Sequence, residues 1–431
     1  MHTLSFYLII ALAFLPLTTK AQSIRATDSK YIKIGKMLDV QSGKWMHNQI
    51  LEVNNERIVS ISDKGFVPPK AEAIDLSNYY VLPGLIDLHV HLTSSSQLHG
   101  YKRLSRSIPR AAIFGVNSAQ RTLKAGFTTV RNLGAAGFAD VALRDAINEG
   151  EVSGPRMRVA GRMVCITGGH CDGGLLAPHY QNRSPSSANG PWEARKAVRE
   201  NIKYGADVIK FAASGGVLSK GTSINSSQFS IEEMKAIVEE AHDRGRIVAA
   251  HAHSRNGIKR AIKAGVNSIE HASLIDDEGI RLAKKHGTTL VMDIYVSDYI
   301  LSEGRKAGIL EASLAKERQV GKTQRLNFNK AVKAGVKLAF GSDAGVYPHG
   351  LNARQFKYMV DWGMSELEAI QAATIHAAEL LAWKNSNNEL NVGEIRVGRF
   401  ADLIAVKSDP LKEIQVLESI DIVVKGGKLV E

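Results

Sequence analysis

The chain has 431 residues, of which 44% are hydrophobic and 23% are charged. This length allows one large barrel or two ordinary domains, and the composition excludes a mini-protein, a disordered chain and a disulfide scaffold. The formal net charge is +12, but lysine and arginine are scattered and no basic run contains interleaved aromatic residues. We therefore expect no nucleic-acid partner.

The N-terminus has the pattern of a signal peptide over residues 1–21. An apolar run extends from Leu4 to Leu17, and the letters TKA that follow fit a small-x-small cleavage site. An uncleaved anchor is the alternative, but the run is shorter than the roughly 20 residues that a spanning helix needs. We predict a periplasmic or secreted protein without stable membrane insertion. In that oxidising compartment Cys165 and Cys171 either form a local disulfide or remain free thiols.

Short alternating β patterns occur at both ends of the chain. The N-terminal patterns lie between Tyr31 and Tyr80, and the C-terminal patterns are GEIRVGRFADLIAV and IDIVVKGGKLVE. Glycine, asparagine and aspartate turn signals separate these short runs. We expect the two ends to pair in one sheet and to form a small β-sandwich domain from residues 22–80 and 391–431.

The central segment, residues 81–390, alternates β-rich runs with helical patterns. Helical stretches such as SIEEMKAIVEEAHDRG end with glycine just before the next run. Eight strand-then-helix units predict an α/β fold with a TIM-type (β/α)8 barrel rather than an open doubly wound sheet. The eight runs are VLPGLIDLHVHL, FTTVRNLG, MRVAGRMVCITGG, ADVIKFAASGG, RIVAAHAHS, NSIEHAS, TTLVMDIY and KLAFGSDAG.

Candidate metal ligands lie near the C-terminal ends of several predicted strands. His89 and His91 are two residues apart, so both rings project from the same face of the strand. Barrel enzymes build their active sites at this end of the strands. Imidazole and carboxylate groups suit zinc or a similar divalent ion. The other candidates are Lys210, His251, His271 and Asp343.

This arrangement resembles the amidohydrolase superfamily, including the flanking phrases VLPGLIDLHVH and VGEIRVGRFADLIAV. Within it, the chain is similar to the imidazolonepropionase-related metal-dependent dipeptidases, called Xaa-Pro dipeptidases or prolidases, and to ochratoxin-hydrolysing amidases. The resemblance implies a hydrolase that cleaves the amide bond before a C-terminal amino acid. Its substrates would be small Xaa-Pro, Xaa-Arg or Xaa-Lys peptides or N-acyl amino acids, and the enzyme would form a homo-oligomer.

The resemblance also implies a binuclear site with two divalent ions, expected to be zinc, and a carbamylated Lys210 as the bridging ligand. Asp343 would act first as a general base and then as a general acid. The alternative is a single metal beside a salt-bridged Lys210. In the binuclear arrangement, one ion would be held by His89, His91 and Asp343 and the other by His251 and His271.

Two further residues are candidates for substrate binding. His170, in the glycine-rich run ITGGHCDGG, would donate to the scissile carbonyl or its oxyanion, or it is a loop histidine held by turn hydrogen bonds. Tyr295 either binds a substrate carboxylate or packs within its strand. His253 shares a strand face with His251 and is expected to support the ligands without binding metal. Surface positions are expected for His99, His179, His349 and His376.

Two alternative functions remain open at this point. The first is an imidazolonepropionase-like cyclic amide hydrolase, against which the export signal and Lys210 both count. The second is a non-catalytic metal-binding envelope protein, for which a missing ligand would be expected, and no ligand is missing. A serine hydrolase is disfavoured because the chain has no G-x-S-x-G motif.

Overall fold

The computed structural model describes residues 29–69, 71–180 and 185–431, so the predicted signal peptide lies outside the described residues. Within these ranges no helix has the length and apolar character needed to cross a bilayer. The strands are β1 (Lys30–Asp39), β2 (Lys44–Asn54), β3 (Arg57–Ser62), β4 (Ala73–Pro83), β5 (Leu85–Val90), β6 (Phe127–Asn132), β7 (Arg156–Val159), β8 (Val208–Ala212), β9 (Ile247–Ala252), β10 (Ser268–His271), β11 (Thr289–Val291), β12 (Leu403–Val406), β13 (Ile422–Lys425) and β14 (Lys428–Leu429).

Helices alternate with the strands over the central part of the chain. Serine side chains cap the starts of several of them, and Ser230 forms a reciprocal capping box with Glu233. Gly265 and Gly287 end two helices at φ values of 96° and 68°, which explains the recurring glycine before the next strand. The α-helices are α1 (Ile108–Lys124), α2 (Ala139–Asn148), α3 (Pro191–Lys203), α4 (Ile231–His242), α5 (Arg255–Ala264), α6 (Asp277–His286), α7 (Val296–Ala307), α8 (Glu311–Lys333), α9 (Arg354–Asp361), α10 (Glu366–Ala372) and α11 (Ile375–Leu381).

A seven-stranded sheet joins the two ends of the chain, in the order β14-β13-β12-β4-β1-β2-β3. β12 pairs antiparallel with β4, which places Leu403 opposite Pro83 and Val406 opposite Tyr80. The predicted pairing of both ends in one sheet is therefore found. The second, facing sheet of a β-sandwich is not found in the described part of the chain, because the C-terminal strands extend the edge of this sheet.

β1 shows how the sequence fixes the buried face of this sheet. Ile32 and Ile34 alternate with the half-buried Tyr31 and Lys33 and point into the core. The register then shifts between Ile34 and Lys36. Gly35 occupies the shift, because a Cβ there would collide with the carbonyl oxygen of Ser77. The shift returns the following apolar side chain, Met37, to the buried face.

The central strands form two parallel sheets, in the orders β5-β6-β7 and β11-β10-β9-β8. Isolated parallel bridges connect the sheets to each other and to the segment that follows α8. The pairing passes through eight segments and returns to β5, which is the order expected of a TIM-type barrel. The bridges are Val164 to Phe211, Leu290 to Leu338 and Val90 to Ala344.

The eighth predicted strand, KLAFGSDAG, is not a regular strand. Asp343 adopts a left-handed φ of 57°, which is incompatible with continuous extended backbone. The segment nevertheless hydrogen-bonds to β5, because Leu88 N donates to Phe340 O at 3.0 Å and Asp343 N donates to His89 O at 2.8 Å. The irregular segment thereby fixes Asp343 beside the histidines of β5.

Candidate active site

The predicted metal ligands converge at one end of the parallel strands. Asp343 Oδ1 lies 3.5 Å from His89 Nε2 and 3.3 Å from His91 Nε2. Across the site, the rings of His251 and His271 have centroids 4.6 Å apart. The histidine and carboxylate atoms fall into overlapping sets within 4.8 Å of one another, which is close enough to hold metal ions. These sets are His89, His91 and Asp343; His251, His253 and His271; and His271, Asp293 and Asp343.

Lys210 lies on β8 and is fully buried. Its Nζ has no hydrogen-bond partner, and the same is true of His251 Nε2. Burial, with the positive charge of Arg131, lowers the pKa of Lys210 from 10.5 to about 8 against the opposing effect of Glu270. An unpaired ammonium in such a place is costly, so this nitrogen is suited to chemistry that removes its charge.

The backbone at the site is strained at three positions that are not glycine. His271 and Ala272 have φ values of 69° and 49°, and Asp343 has a φ of 57°. Residues with a side chain rarely adopt this left-handed backbone conformation, and each one that does costs about 1–3 kcal/mol of folding free energy. The strain is localised at two candidate ligands, where it turns both side chains toward the same cavity.

Carboxylates behind the histidines orient their rings. His271 Nδ1 lies 2.9 Å from both oxygens of Asp293, and Gln324 donates to Asp293 and to the His271 carbonyl. Burial alone would lower the pKa of His271, but the charge and hydrogen bond of Asp293 outweigh it and raise the pKa. The sequence analysis did not identify Asp293 or Gln324. For Asp293, its place near the C-terminal end of the seventh predicted run, TTLVMDIY, was the available signal.

A second buried pair supports His89. Glu270 Oε2 lies 3.2 Å from His89 Nδ1 without forming a regular hydrogen bond, and Glu270 Oε1 accepts from Arg131 Nη2 at 2.8 Å. Arg131 also donates to Leu88 O at 2.7 Å and to Ser268 Oγ at 3.0 Å. Sequence reasoning missed both Arg131 and Glu270. The pair fills the interior below the ligands with matched charge.

His170 lies against the metal-ligand cluster. Its ring stacks on that of His251 at a centroid distance of 4.0 Å, and its Nδ1 lies 2.9 Å from Ser219 Oγ. Burial, with the positive charge of His271 and Lys210, lowers the pKa of His170 to about 3, so the ring is neutral. The loop that carries it is closed by a disulfide between Cys165 and Cys171, so of the two alternatives the structure has the disulfide.

Tyr295 does not reach the cavity. Its hydroxyl accepts from Arg354 Nη1 at 3.0 Å, and its ring packs edge-on against Tyr347. No contact in the described part of the chain supports the predicted substrate role of Tyr295, which stays a prediction.

The other histidines have mixed environments. His253 lies inside the cavity, where its Nδ1 is 2.8 Å from Ser273 Oγ and its ring stacks on that of His271. His179 is exposed, as expected. The surface prediction was wrong for His349, which is buried with Nε2 3.3 Å from Ser94 O, and His99 is half-buried at the cavity wall.

The site opens into a cavity of about 730 Å³, which is large enough for a dipeptide-sized ligand. Its wall combines the ligand cluster with the His170 loop, the Gly100–Ser105 turn of 3₁₀-helix and the first turns of α7 and α8. One end of the cavity is therefore rich in histidine and carboxylate, and much of the remaining wall is apolar.

Comparison with known proteins decides what this site belongs to. Residues 80–430 match the amidohydrolase family. The chain belongs to the amidohydrolase family. Membership of this family makes the chain a hydrolase that acts on C–N bonds. Members of the superfamily generally bind metal ions. Structures of related amidohydrolases imply that the ring of eight segments is a TIM-type barrel.

Three relatives of this amidohydrolase place it more closely. The ochratoxinase of Aspergillus niger is 34% identical over 433 residues, which cover 94% of this chain and 88% of the relative. A solved Xaa-Pro dipeptidase with bound methionine in its active site is 39% identical, with a TM-score of 0.85 and coverage of 93% and 99%. The imidazolonepropionase of Fusobacterium nucleatum is a more distant relative, 21% identical over 422 residues, covering 89% of this chain and 92% of the relative.

Proposed function

We propose that this amidohydrolase is an exported binuclear metal enzyme that cleaves the amide bond before a C-terminal amino acid. The observation that carries the proposal is Lys210, a fully buried amine without a partner among histidines and carboxylates. The similarity to an Xaa-Pro dipeptidase and to an ochratoxinase supports the substrate class. Xaa-Pro, Xaa-Arg and Xaa-Lys dipeptides and N-acyl amino acids are the candidate substrates.

The residues fit two divalent ions, and zinc suits their imidazole and carboxylate groups. The unpartnered His251 Nε2 is an atom that such an ion would satisfy, and the unpartnered Lys210 Nζ is open to carbamate formation. Lys210 would serve as a bridging carbamate, since a neutral amine can react with carbon dioxide and its lowered pKa favours the neutral form. When bound, the two ions would supply Lewis acidity at the amide carbonyl and at the attacking water. The ligands would be His89, His91 and Asp343 for one ion and His251 and His271 for the other.

Asp343 would move the proton in the reaction. Although burial opposes its charge, the neighbouring His89 and His91 hold the pKa of Asp343 below its ordinary value. Its carboxylate therefore keeps a proton only briefly, as a shuttle between the attacking water and the leaving amine requires. Asp343 N donates to His89 O, so the backbone itself fixes the carboxylate in place.

His170 would stabilise the carbonyl oxygen as charge develops on it. With Ser219 at Nδ1, its Nε2 has no hydrogen-bond partner in the described residues and is available to substrate. Because the lowered pKa keeps the ring neutral, His170 would donate a hydrogen bond without losing its proton to the leaving group.

Export and assembly belong to the same proposal. The signal-peptide pattern of residues 1–21 supports a periplasmic or secreted enzyme, and the disulfide between Cys165 and Cys171 suits an oxidising compartment. Mass analysis of the native N-terminus tests export, which an intact Met1 would contradict. A homo-oligomer would cover exposed apolar side chains such as Trp192, which is 81% exposed, and sedimentation measures it.

The activity is tested by assaying the purified enzyme against Xaa-Pro, Xaa-Arg and Xaa-Lys dipeptides, N-acyl amino acids including ochratoxin, and imidazolonepropionate. We expect hydrolysis of at least one substrate with a free C-terminal amino acid, loss after chelation, and recovery with added zinc. Metal analysis should approach two equivalents per chain. Cleavage of imidazolonepropionate alone, or full activity in the metal-free protein, would contradict the proposal.

A further inference from the structure

Three arginines line the cavity without a carboxylate partner in the described part of the chain: Arg103, Arg106 and Arg162. Arg103 is exposed to solvent on this wall, and Arg106 and Arg162 are half-buried. Elsewhere in the molecule, buried and half-buried arginines are generally paired. Arg156, for example, binds Asp402 at 2.7 Å and Glu56 at 3.0 Å. Unpaired guanidinium groups concentrated in a cavity indicate a site for an anion that the chain itself does not supply.

Arg103 differs from the other two in having no side-chain partner among the residues that the structure describes. The guanidinium of Arg106 lies over the Phe114 ring at 4.2 Å, and that of Arg162 lies over the Phe138 ring at 4.7 Å. Arg103 has neither a ring nor a hydrogen-bond acceptor among the described residues. The surrounding protein lowers its pKa, and no carboxylate offsets this effect.

The position of Arg103 relates it to the reacting end of the cavity. It lies in the Gly100–Ser105 turn, and its Nη2 is close to Gly173, where an added Cβ would lie 2.8 Å from that nitrogen. Gly173 belongs to the same loop as His170, whose pKa the charge of Arg103 helps to lower. Arg103 and His170 therefore both line the cavity, and the Arg103 guanidinium lies against the loop that carries His170.

The acidic side chains of the cavity wall have other partners. Glu317 is buried and shares a hydrogen bond with Ser297. Asp343 lies against His89 and His91, and Asp293 lies against His271. Asp172, in the His170 loop, accepts from Gly168 N at 2.8 Å. Among the described residues, no carboxylate is therefore paired with the guanidinium of Arg103.

We propose that Arg103 binds the α-carboxylate of the C-terminal amino acid of the substrate. The inference rests on the proposed function, in which His170 contacts the carbonyl of the scissile bond. The α-carboxylate lies only one Cα beyond the scissile nitrogen, so its receptor must lie near the His170 loop. The planar guanidinium offers two parallel N–H donors that match a carboxylate.

The substrate class follows from this contact. A free α-carboxylate is required for tight binding, and a C-terminal amide or a further residue is disfavoured because it leaves the guanidinium without an anion. The enzyme therefore acts at chain ends rather than within longer peptides. Since the carboxylate keeps its charge while the amide bond breaks, Arg103 acts mainly on KM.

The test compares Arg103→Met with the wild type on Ala-Pro and on Ala-Pro amide, or on an N-acyl amino acid and its amide if the wild type prefers N-acyl substrates. For the free acid we expect kcat/KM to fall about ten- to hundredfold, mostly through KM. For the amide we expect little change. Arg103→Lys should retain part of the preference, because it keeps the charge but not the paired donors.

Two controls assign the effect. Arg110→Met removes an arginine charge from the exposed start of α1, outside the cavity, and should leave the acid-to-amide preference unchanged. Gly173→Ala should weaken the preference in the same direction as Arg103→Met, because its Cβ displaces the guanidinium.

The outcomes separate this inference from the proposed function. If the wild type cleaves the free acid and Arg103→Met keeps the same acid-to-amide ratio, the carboxylate assignment is wrong while the hydrolase remains. A loss of preference in Arg106→Met alone would likewise overturn the assignment. If the wild type cleaves no amide of a C-terminal amino acid, the proposed function fails first.

Discussion

Arg131 on β6 and Lys210 on β8 are both fully buried cations on strands of the central parallel sheets, yet their surroundings are opposite. Arg131 donates to the carbonyl of Leu88, to Ser268 and to the carboxylate of Glu270. Lys210 has no partner at Nζ. Both side chains carry the same formal charge into the same interior, so burial alone does not explain the difference.

The comparison separates a charge that the fold satisfies from a charge that the fold leaves for chemistry. Removing one partner of a buried pair leaves an unpaired charge and costs stability. Removing a buried charged side chain that has no partner removes an unpaired charge, so it should not lower stability in this way. Only the activity that depends on that side chain should be lost. Variants at the two positions should therefore fail in different assays.

The largest expected effect is on turnover in Lys210→Ala. Loss of the bridging anion should lower metal content and reduce kcat by far more than the roughly hundredfold typical of residues that only support a ligand. Short carboxylic acids such as formate should restore part of the activity by supplying an anion. Metal analysis and steady-state kinetics check this, with exposed Lys196→Ala as the control. Full activity with one metal in Lys210→Ala would remove the carbamate from the mechanism.

The next effect is on stability in Arg131→Met. Because Glu270 would keep a buried negative charge without its partner, we expect the free energy of unfolding to fall by about 3–5 kcal/mol. The double variant Arg131→Met/Glu270→Gln should recover part of this loss, since it removes both charges. Urea unfolding of both proteins measures the difference. An Arg131→Met variant as stable as the wild type would contradict the claim that Arg131, unlike Lys210, stabilises the fold through its charge partner.

A smaller but specific effect is expected for Asp343→Asn. The amide keeps one oxygen ligand but has no basic site, so much of the metal should remain while kcat falls on the order of a hundredfold or more. His170→Asn provides the matched comparison, because losing one donor to the oxyanion should cost about 3 kcal/mol without flattening the acid limb of the pH–rate profile. Near-normal kcat in a metal-loaded Asp343→Asn would reassign the shuttle, with His253 as the next residue to replace.

The smallest effect concerns Glu317, a buried carboxyl on the cavity wall. Burial raises its pKa from 4.5 to about 7, against the opposing hydrogen bond of Ser297. Since the folded state binds this proton more tightly, the stabilisation is present below pH 4.5 and is lost as the pH rises through about 7. Glu317→Gln should therefore be more stable than the wild type by about 1–3 kcal/mol at pH 8 and equal to it near pH 4.5.

Urea unfolding at the two pH values measures the Glu317 effect. Glu303→Gln replaces an exposed carboxylate in an ion pair with Lys306, so it should show no dependence of this kind. A Glu317→Gln variant that gains nothing at pH 8 would show that this carboxyl is ionised at no cost in the folded protein.

Paired histidines and strand-end positions form a strong sequence pattern, and the structure brings these candidate residues together. That they bind metal stays a prediction. The sequence did not predict that Glu270 and His271 both lie near His89. Adjacent residues on a regular strand point to opposite faces. The positive φ of His271 breaks that alternation. Because residues other than glycine rarely adopt a positive φ, the sequence does not predict this conformation. The same limit applies to Asp343, whose left-handed φ turned an expected eighth strand into an irregular segment.

The pairing of Arg131 with Glu270 could not be predicted from the sequence either, for a physical reason. Arg131 and Glu270 are 139 residues apart in sequence, and their contact depends on how the strands pair in space. Pairing of the chain ends was predictable as a sheet because both ends carry alternating patterns. Whether those strands extend one sheet or stack as two depends on edge pairing between β4 and β12, which no local pattern specifies.

That pairing of β4 with β12 has a consequence for the order in which the molecule is made. Tyr80 to Pro83 meet their partners at Leu403 to Val406, so this edge stays unpaired until almost the whole chain has left the ribosome. β4 continues through Gly84 directly into β5, the strand that carries His89. Contacts of such large sequence separation form slowly. We expect the strand that carries His89 and His91 to be anchored at its β4 end only late in synthesis.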